Sequence, residues 1–337
     1  MPEIVGILPE TPPPRFALSI VVPVYNGASS LPELVEALER LRIEGGHEIV
    51  LVNDGSPDHS LAVCRDLAAR ARVPITVVDL ARNFGEHNAV MAGLRHCGGA
   101  HVITMDDDLQ NPPEEVERLL AAAQRSGKEV IYTWYGEKQH ALWRNLGSRF
   151  TNWVAGFVLD KPQDLYLSSF RCLSAFVVRE ITRYDGPFPY VDGLILQVTQ
   201  DIDRLQVQHL PRVGGRSNYT ARRLLRLWIS MFVNFSVMPL RISTMTGFAL
   251  SAVGAMGGAV AIGEALFGSP PPGWASLMAG VLLLSGVQLL ILGIIGEYLG
   301  RIYLTANGKP QSVVKSVIRA DPASAALGRA LRRRERA

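Results

Sequence analysis

The chain has 337 residues, of which 48% are hydrophobic and 19% are charged, and its formal net charge is +3. This composition excludes general disorder, and so small a net charge gives no reason to expect a nucleic-acid partner. The three cysteines, Cys64, Cys97 and Cys172, are widely spaced and form no CxxC pair, so neither a disulfide framework nor a zinc site is predicted.

Short apolar runs alternate with amphipathic stretches from Leu18 to about Trp134, which predicts a doubly wound α/β domain, and residues 18–219 are taken as the catalytic domain. Residues 1–17 lack the pattern of a secretory signal and are treated as an N-terminal extension. The predicted strands are Leu18–Pro23, Glu48–Asn53, Ile75–Leu80, His101–Met105 and Glu129–Thr133. The predicted helices are Leu31–Leu41, Ser60–Arg70, His87–His96 and Pro113–Ala123. This order favours a parallel sheet with helices on both faces, and residues 135–219 are expected to complete the site as an irregular α+β region.

A cationic and then apolar stretch lies within residues 220–240. Its spacing predicts an amphipathic helix in the membrane interface, with Trp228 at headgroup depth. An ordinary surface helix is the alternative.

Two apolar segments follow, at about 245–267 and 274–295, within residues 241–300. Each is long enough to span a bilayer, which takes about 20 residues. Their short connection carries no cation, whereas Arg and Lys flank the opposite ends, so the positive-inside rule predicts a hairpin with both chain ends in the cytoplasm. Beyond it, Glu297 and Arg301 are expected to form an i,i+4 ion pair, and residues 301–337 are expected to form a basic cytoplasmic tail.

The densest acidic motif is Asp106-Asp107-Asp108, which directly follows a predicted strand. Three adjacent carboxylates repel one another unless a cation is present, and such hard oxygen ligands suit Mg²⁺ or Mn²⁺ bridging to substrate phosphates. In open α/β sheets ligands bind beyond the carboxyl ends of the strands, where this motif lies. The alternative is a solvated acidic turn that caps the next helix.

Two further polar motifs also follow predicted strands. Pro23, Tyr25 and Asn26 end the first strand, and Asp54 follows the second. A carboxylate at Asp54 can accept a hydrogen bond from the N–H of a uracil or guanine edge. Each motif alone is weak, because Asp-Gly pairs are common in turns for backbone reasons, but their occurrence at the tips of three strands predicts a shared nucleotide site.

Together these motifs resemble the inverting family 2 glycosyltransferases with a GT-A fold. Within that family they look like the polyprenyl-phosphate glycosyltransferases, which include dolichyl-phosphate mannose synthase, undecaprenyl-phosphate glucosyltransferases and aminoarabinose-type transferases. The matching motifs are Val21–Asn26, Val52–Ser56, Asn83–Gly93, Asp106–Pro113 and Gly296–Tyr303. The resemblance covers nearly the whole chain. It implies sugar transfer from a nucleotide-sugar, with UDP favoured, to a polyprenyl phosphate such as undecaprenyl phosphate, at a bacterial inner membrane.

The resemblance also implies roles for individual residues. Asp106 and Asp108 would hold the metal, and Gln110 would complete its shell. The residues implied in nucleotide-sugar binding are Pro23, Tyr25, Asn26, Asp54, Asp106 and Asp107. Those implied in binding the acceptor phosphate are Arg144, Ser148, Arg212, Arg216 and Ser217. Asp106 and Asp108, with Asp164 orienting the acceptor or the sugar, are implied in catalysis.

Several of these roles have plain alternatives. Arg144 reads equally well as a surface helix cation, and Asp164 as a helix cap. In the loop that begins at Arg212, Asn218 stands where relatives carry Lys, which puts one phosphate contact in doubt, although the guanidinium of Arg216 offers a fork of donors in its place.

The resemblance leaves rival functions open. A processive polysaccharide synthase shares the fold but usually carries more spans and a Gln-x-x-Arg-Trp motif, which this sequence lacks. A non-catalytic nucleotide-sugar sensor would keep the fold without turnover, and a lipid flippase or channel is hard to reconcile with two short spans. The sugar, with glucose and modified arabinose both considered, stays open, and a homo-oligomer such as a tetramer is expected by analogy only.

Overall fold

The structure is a computed structural model of the chain, and it describes residues 13–135, 165–208, 210, 238–267 and 273–322. The chain divides into two compact units. One contains the sheet domain together with the residues from Pro310 onward, and the other contains the two long apolar helices. The predicted interfacial helix lies outside the described residues over most of its length.

The first unit contains one eight-stranded sheet, in the order β7-β5-β6-β4-β1-β2-β3-β8. The strands are β1 Phe16–Val24, β2 His47–Asn53, β3 Ile75–Leu80, β4 Gly99–Thr104, β5 Val130–Tyr135, β6 Arg171–Ser174, β7 Ile202–Val207 and β8 Val314–Ala320. The helices are α1 Leu31–Glu39, α2 Ser60–Arg70, α3 Glu86–Leu94, α4 Glu114–Ser126, α5 Ala175–Thr182 and α6 Val191–Val198. The predicted α/β class is therefore confirmed.

The sheet is mixed rather than wholly parallel, which corrects the sequence-based expectation. β1 pairs in parallel with β2 and β4, but β6 pairs antiparallel with both β4 and β5. A parallel neighbour needs a long crossover, whereas an antiparallel strand can return directly beside its partner. β6 pairs with β4 with Arg171 opposite Thr104, and this register places the residues just before β6 at the carboxyl end of β4.

Helices cover both faces of the sheet, as predicted. Alternate residues of β1, Leu18, Ile20, Val22 and Val24, share one buried cluster with apolar residues of α1, α2 and α4. On the other face α3 packs on β1 and β2 and contacts α5 and α6. Its approach is close, because a Cβ added at Gly93 would lie 2.5 Å from a methyl carbon of Val21.

The last strand, β8, was not predicted. It pairs antiparallel with β3 from Ala320 opposite Ile75 to Val314 opposite Leu80, in a region that the sequence analysis assigned to a basic tail. The strand is an edge strand in which Val314 and Val317 are exposed, as are Lys315 and Arg319. Pairing with β3 satisfies backbone groups that would otherwise form an open edge.

The second unit contains α7 Met238–Phe267 and α8 Trp274–Ala306. Each includes a segment long and apolar enough to cross a membrane, Ile242–Val260 and Leu283–Ala306. Large apolar side chains on both helices, such as Phe248 and Leu289, are exposed in the isolated chain. α8 extends beyond the predicted end at about 295, and the predicted ion pair within it is confirmed: Arg301 Nε lies 3.0 Å from Glu297 Oε1.

Candidate active site

Asp54, which follows β2, binds the tip of β1 through its backbone and the loop between β3 and α3 through its side chain. The N–H of Asp54 donates to the carbonyl of Val24 at 3.0 Å. The Asp54 side chain is buried, and its two carboxylate oxygens accept from the backbone N–H groups of Phe84 and Gly85 at 2.7 and 2.9 Å. Burial raises the pKa of Asp54, and the two N–H donors oppose that rise. Asp54 therefore clasps the loop between β3 and α3.

The backbone of Gly55 lies against the same loop. Gly55 has φ of +59°, and a Cβ added there would lie 2.3 Å from the carbonyl carbon of Arg82. The Arg82 guanidinium in turn lies over the ring of Phe84, 4.3 Å from its centroid. Only glycine both adopts this left-handed conformation readily and leaves room for the neighbouring backbone.

The acidic motif follows β4 and reaches the tip of β1. Asp107 Oδ2 accepts from the backbone N–H of Tyr25 at 3.4 Å, and a Cβ at Gly27 would lie 2.2 Å from that oxygen. Tyr25 itself is exposed. The structure thus brings the predicted residues after β1 and β4 together at one edge of the sheet, and the adjacent tip of β2 carries Asp54.

Asp106 and Asp108 are held by different partners. Ser169, two residues before β6, donates its hydroxyl to Asp106 Oδ2 at 2.7 Å. Asp108 Oδ1 accepts from the backbone N–H of Gln110 at 3.2 Å, and Leu109 between them has φ of +59°. This turn fixes the carboxylates at the carboxyl end of β4.

Negative charge accumulates at Asp106. Its pKa is raised from 3.8 to about 6, first by burial, then by the nearby Glu86 carboxylate and, more weakly, by Asp108. The hydrogen bond from Ser169 and the charge of Arg171 only partly counter this rise. A cation placed at these carboxylates would relieve the repulsion and favour the ionised form.

The donor set fits a divalent cation that is shared with substrate phosphates. No group of three or more His, Cys, Asp or Glu side chains in the described part of the chain is placed to hold a metal ion by itself. Mg²⁺ is commonly bound through only one or two carboxylates plus substrate phosphates, and Asp106 and Asp108 are the predicted pair. The charge at Asp106 agrees with this prediction, and the roles of Asp106, Asp108 and Gln110 as metal ligands stay predictions.

A buried ion pair lies behind the acidic motif. The Arg171 guanidinium contacts Asp192 Oδ1, and both side chains are at least nine-tenths buried. Tyr132 on β5 donates its hydroxyl to the same oxygen at 2.9 Å. Arg171 Nε is buried without a hydrogen-bond partner. Such a cluster holds β5, β6 and α6 in one arrangement, because any partner left alone would be an uncompensated buried charge.

Sequence reasoning did not single out Ser169, Arg171 or Asp192. Ser169 becomes a partner of Asp106 only through the antiparallel register of β6 with β4. The hydroxyl-rich sequence Leu167-Ser-Ser-Phe-Arg171 was the available signal, but serine pairs are common in loops for backbone reasons.

The predicted acceptor-side residues lie outside the described residues. These are Arg144, Ser148, Asp164, Arg212, Arg216 and Ser217. Their roles stay predictions.

An α/β sheet with acids gathered at adjacent strand tips is typical of enzymes that bind nucleotides beyond the carboxyl ends of their strands. The sequence profile described as glycosyl transferase family 2 matches residues 19–181. The chain is 34% identical over 320 residues to the undecaprenyl-phosphate 4-deoxy-4-formamido-L-arabinose transferase of Pseudomonas savastanoi pv. phaseolicola, covering 91% of this chain and 93% of that protein. It is also 34% identical over 330 residues to the protein of the same name from Pseudomonas aeruginosa, covering 96% of each.

The chain therefore belongs to glycosyl transferase family 2, as its motifs predicted, and is a glycosyltransferase. Among solved structures, glucosyl-3-phosphoglycerate synthase from Mycobacterium tuberculosis in complex with Mn²⁺, UDP and glucosyl-3-phosphoglycerate has a TM-score of 0.49 at 15% identity, covering 65% of this chain and 80% of that one. That likeness is too distant to assign a metal or a ligand to this chain.

Proposed function

We propose that this protein transfers a sugar from a nucleotide-sugar, with UDP favoured, to undecaprenyl phosphate. The observation that carries the proposal is the meeting of the Asp54, Asp107 and Asp106 motifs at one sheet edge in a chain that matches undecaprenyl-phosphate sugar transferases over nearly its whole length. The relatives named above make 4-deoxy-4-formamido-L-arabinose the first sugar to test.

The donor nucleotide would bind across the tips of β1, β2 and β4. The exposed Tyr25 ring would face the base, and Asp54 would fix the loop of Phe84 and Gly85 beside it. Asp106 and Asp108 would hold a divalent cation, which when bound acts as a Lewis acid on the leaving diphosphate. Ser169, which donates its hydroxyl to Asp106 Oδ2, would orient this carboxylate.

The acceptor chemistry explains why no strong catalytic base is required. A phosphate monoester, with a second pKa of about 6, is already largely dianionic at neutral pH. Its oxygen can attack the anomeric carbon in a single displacement that inverts the centre, as the C–O bond to the diphosphate breaks. The need is for cations that hold two negatively charged groups together, and Arg144, Arg212 and Arg216 are the proposed donors, with Ser148 and Ser217.

The apolar helices α7 and α8 would bring the catalytic unit to a lipid acceptor. Two such helices, with cations flanking their outer ends and none in the short connection, support membrane insertion with both chain ends cytoplasmic. A polyprenyl chain does not leave the bilayer, so the enzyme has to work at its surface.

The test is nucleotide diphosphate release by detergent-purified protein with Mn²⁺, undecaprenyl phosphate and a panel of UDP- and GDP-sugars. Release should require both the lipid phosphate and an intact Asp108, so Asp108→Ala should abolish it. Asp66→Ala is the matched control, because Asp66 is an exposed carboxylate on α2 that pairs with Arg70. If wild-type protein binds nucleotide but no donor gives lipid-dependent release, the proposed transfer to undecaprenyl phosphate is wrong.

A further inference from the structure

The chain returns to the catalytic sheet after its last apolar helix. Residues 307–310 separate the end of α8 at Ala306 from Gln311, and the C-terminal segment, defined here as residues 311–320, contains β8. This segment lies outside residues 19–181, which match the family profile. It nevertheless contacts the sheet domain at both ends of the connection that runs through residues 81–85 and α3. Asp54 is hydrogen-bonded to this connection at Phe84 and Gly85.

The first contact is at the carboxyl end of β3. β8 pairs with β3 as far as Val314 opposite Leu80. The next residue along, Ala81, donates its backbone N–H to the carbonyl of Val313 at 2.8 Å. Three residues later, the N–H of Phe84 binds Asp54. The C-terminal segment therefore fixes the point from which this loop departs.

The second contact is at the end of α3, where Gln311 is buried. Its Oε1 accepts from Nη1 of Arg95, the C-cap residue of α3, at 2.8 Å. Its Nε2 donates to the carbonyls of Tyr184 and Gly186 at 3.1 and 3.0 Å. Arg95 also binds the carbonyl of Tyr184 and the carboxylate of Asp185. One buried amide thus joins α3 to the segment that follows α5.

These two contacts lie on either side of the loop whose N–H groups bind the Asp54 carboxylate. Residues 81–85 leave β3 beside Val313 and enter α3, whose far end is held by Gln311 through Arg95. The contacts therefore hold the residue from which the loop departs and the far end of the helix that the loop enters. A buried side-chain amide with all its partners satisfied fixes such an arrangement, because each partner left alone would carry a desolvation cost.

We propose that the C-terminal segment helps to shape the donor site, and that Gln311 is a positioning residue for the loop that carries Phe84 and Gly85. The inference rests on the proposed binding of the nucleotide at that loop. The competing explanation is that β8 and Gln311 only stabilise the sheet. The two explanations differ in whether the loop, rather than the whole unit, responds to loss of Gln311.

The experiment compares Gln311→Ala with Ile318→Ala in the full-length, detergent-purified protein. Ile318 lies in the same strand opposite Val77 and packs against the core, so its truncation removes core packing while the contacts of Val313 and Gln311 stay in place. Three quantities are measured for each variant: the melting temperature, the Kd for UDP and for GDP with Mn²⁺, and amide hydrogen exchange of the peptide containing Phe84 and Gly85.

Gln311→Ala should weaken nucleotide binding about three- to tenfold, equivalent to about 0.7–1.4 kcal/mol, and should speed exchange in the loop peptide. Ile318→Ala should lower the melting temperature while both loop measurements stay at wild-type values. Equal effects of the two variants, or wild-type binding by Gln311→Ala, would overturn the inference while leaving the proposed function intact. If the wild-type protein binds neither nucleotide, the proposed function fails and the inference fails with it.

Discussion

Replacing Asp106 by Asn should stabilise the protein in the absence of divalent cations while removing its activity. The substitution keeps the shape of the side chain, and the amide oxygen can still accept the hydrogen bond from Ser169. It removes the negative charge that burial and the neighbouring Glu86 and Asp108 disfavour. A residue kept for binding a cation should show this conflict between stability and function.

The size of the effect follows from the pKa of Asp106. A rise from 3.8 to about 6 is roughly 2 units, or about 3 kcal/mol at about 1.4 kcal/mol per unit. Because the side chain is only partly shielded from water, about half of this, roughly 1.5 kcal/mol, is the more realistic cost. For a domain of this size, that corresponds to about 3–6 °C in melting temperature.

The raised pKa of Asp106 also fixes how the stability of the wild-type protein changes with pH. Between pH 3.8 and about 6 the unfolded chain loses a proton that folded Asp106 retains, so stability falls as the pH rises through this window. In EDTA at pH 7.5, Asp106→Asn should therefore melt above wild type, and the difference should shrink toward pH 4.

Thermal unfolding with and without Mn²⁺ measures both halves of this prediction. Mn²⁺ should stabilise wild type but not the variant. Asp66→Asn, at an exposed carboxylate, should change neither result. A variant that melts no higher than wild type at pH 7.5, or a gain that persists at pH 4, would refute the assigned repulsion at Asp106.

Three further substitutions test the packing around the site. Gly55→Ala should abolish nucleotide binding in a titration assay, because its Cβ would meet the Arg82 backbone, whereas Gly127→Ala, with a similar φ of +63° but open space, should cost only the left-handed strain of about 1–2 kcal/mol. Asp54→Asn should weaken nucleotide binding about 5- to 150-fold, since one N–H of the loop would face an amide donor in place of a carboxylate oxygen, a loss of about 1–3 kcal/mol. Arg171→Leu should destabilise the protein by about 3–5 kcal/mol in denaturant unfolding, because Asp192 would be left as a buried unpaired charge, and the added Asp192→Leu change should recover part of that loss.

Local pattern predicted most of the sheet domain. The predicted Ile75–Leu80 strand and Ser60–Arg70 helix match β3 and α2 residue for residue. The predicted start of β4 was two residues late, because Gly99 reads as a break in sequence. In the structure Gly99 extends the strand, and its N–H donates to Ser19 Oγ at 2.8 Å.

The C-terminal strand β8 shows that local sequence pattern does not predict long-range strand pairing. Val314–Ala320 is short, basic and half exposed, so nothing within it distinguishes an edge strand from a tail. Its partner β3 lies far away along the chain, and the pairing gains stability only after the intervening residues have folded.

In the candidate site, too, some residues were predictable from the sequence and others were not. Asp54 and the acids from Asp106 to Asp108 were predictable because the carboxyl ends of neighbouring parallel strands share one edge of a sheet. Ser169, which binds Asp106, and the buried pair behind it were not, because their placement depends on the antiparallel register of β6. With Arg171 opposite Thr104, Ser169 meets Asp106 and Arg171 points into the buried pair with Asp192. A slip of one residue would turn Arg171 to the other face of the sheet and carry Ser169 away from Asp106. The pairing of β6 is therefore as much a determinant of the site as the acids themselves.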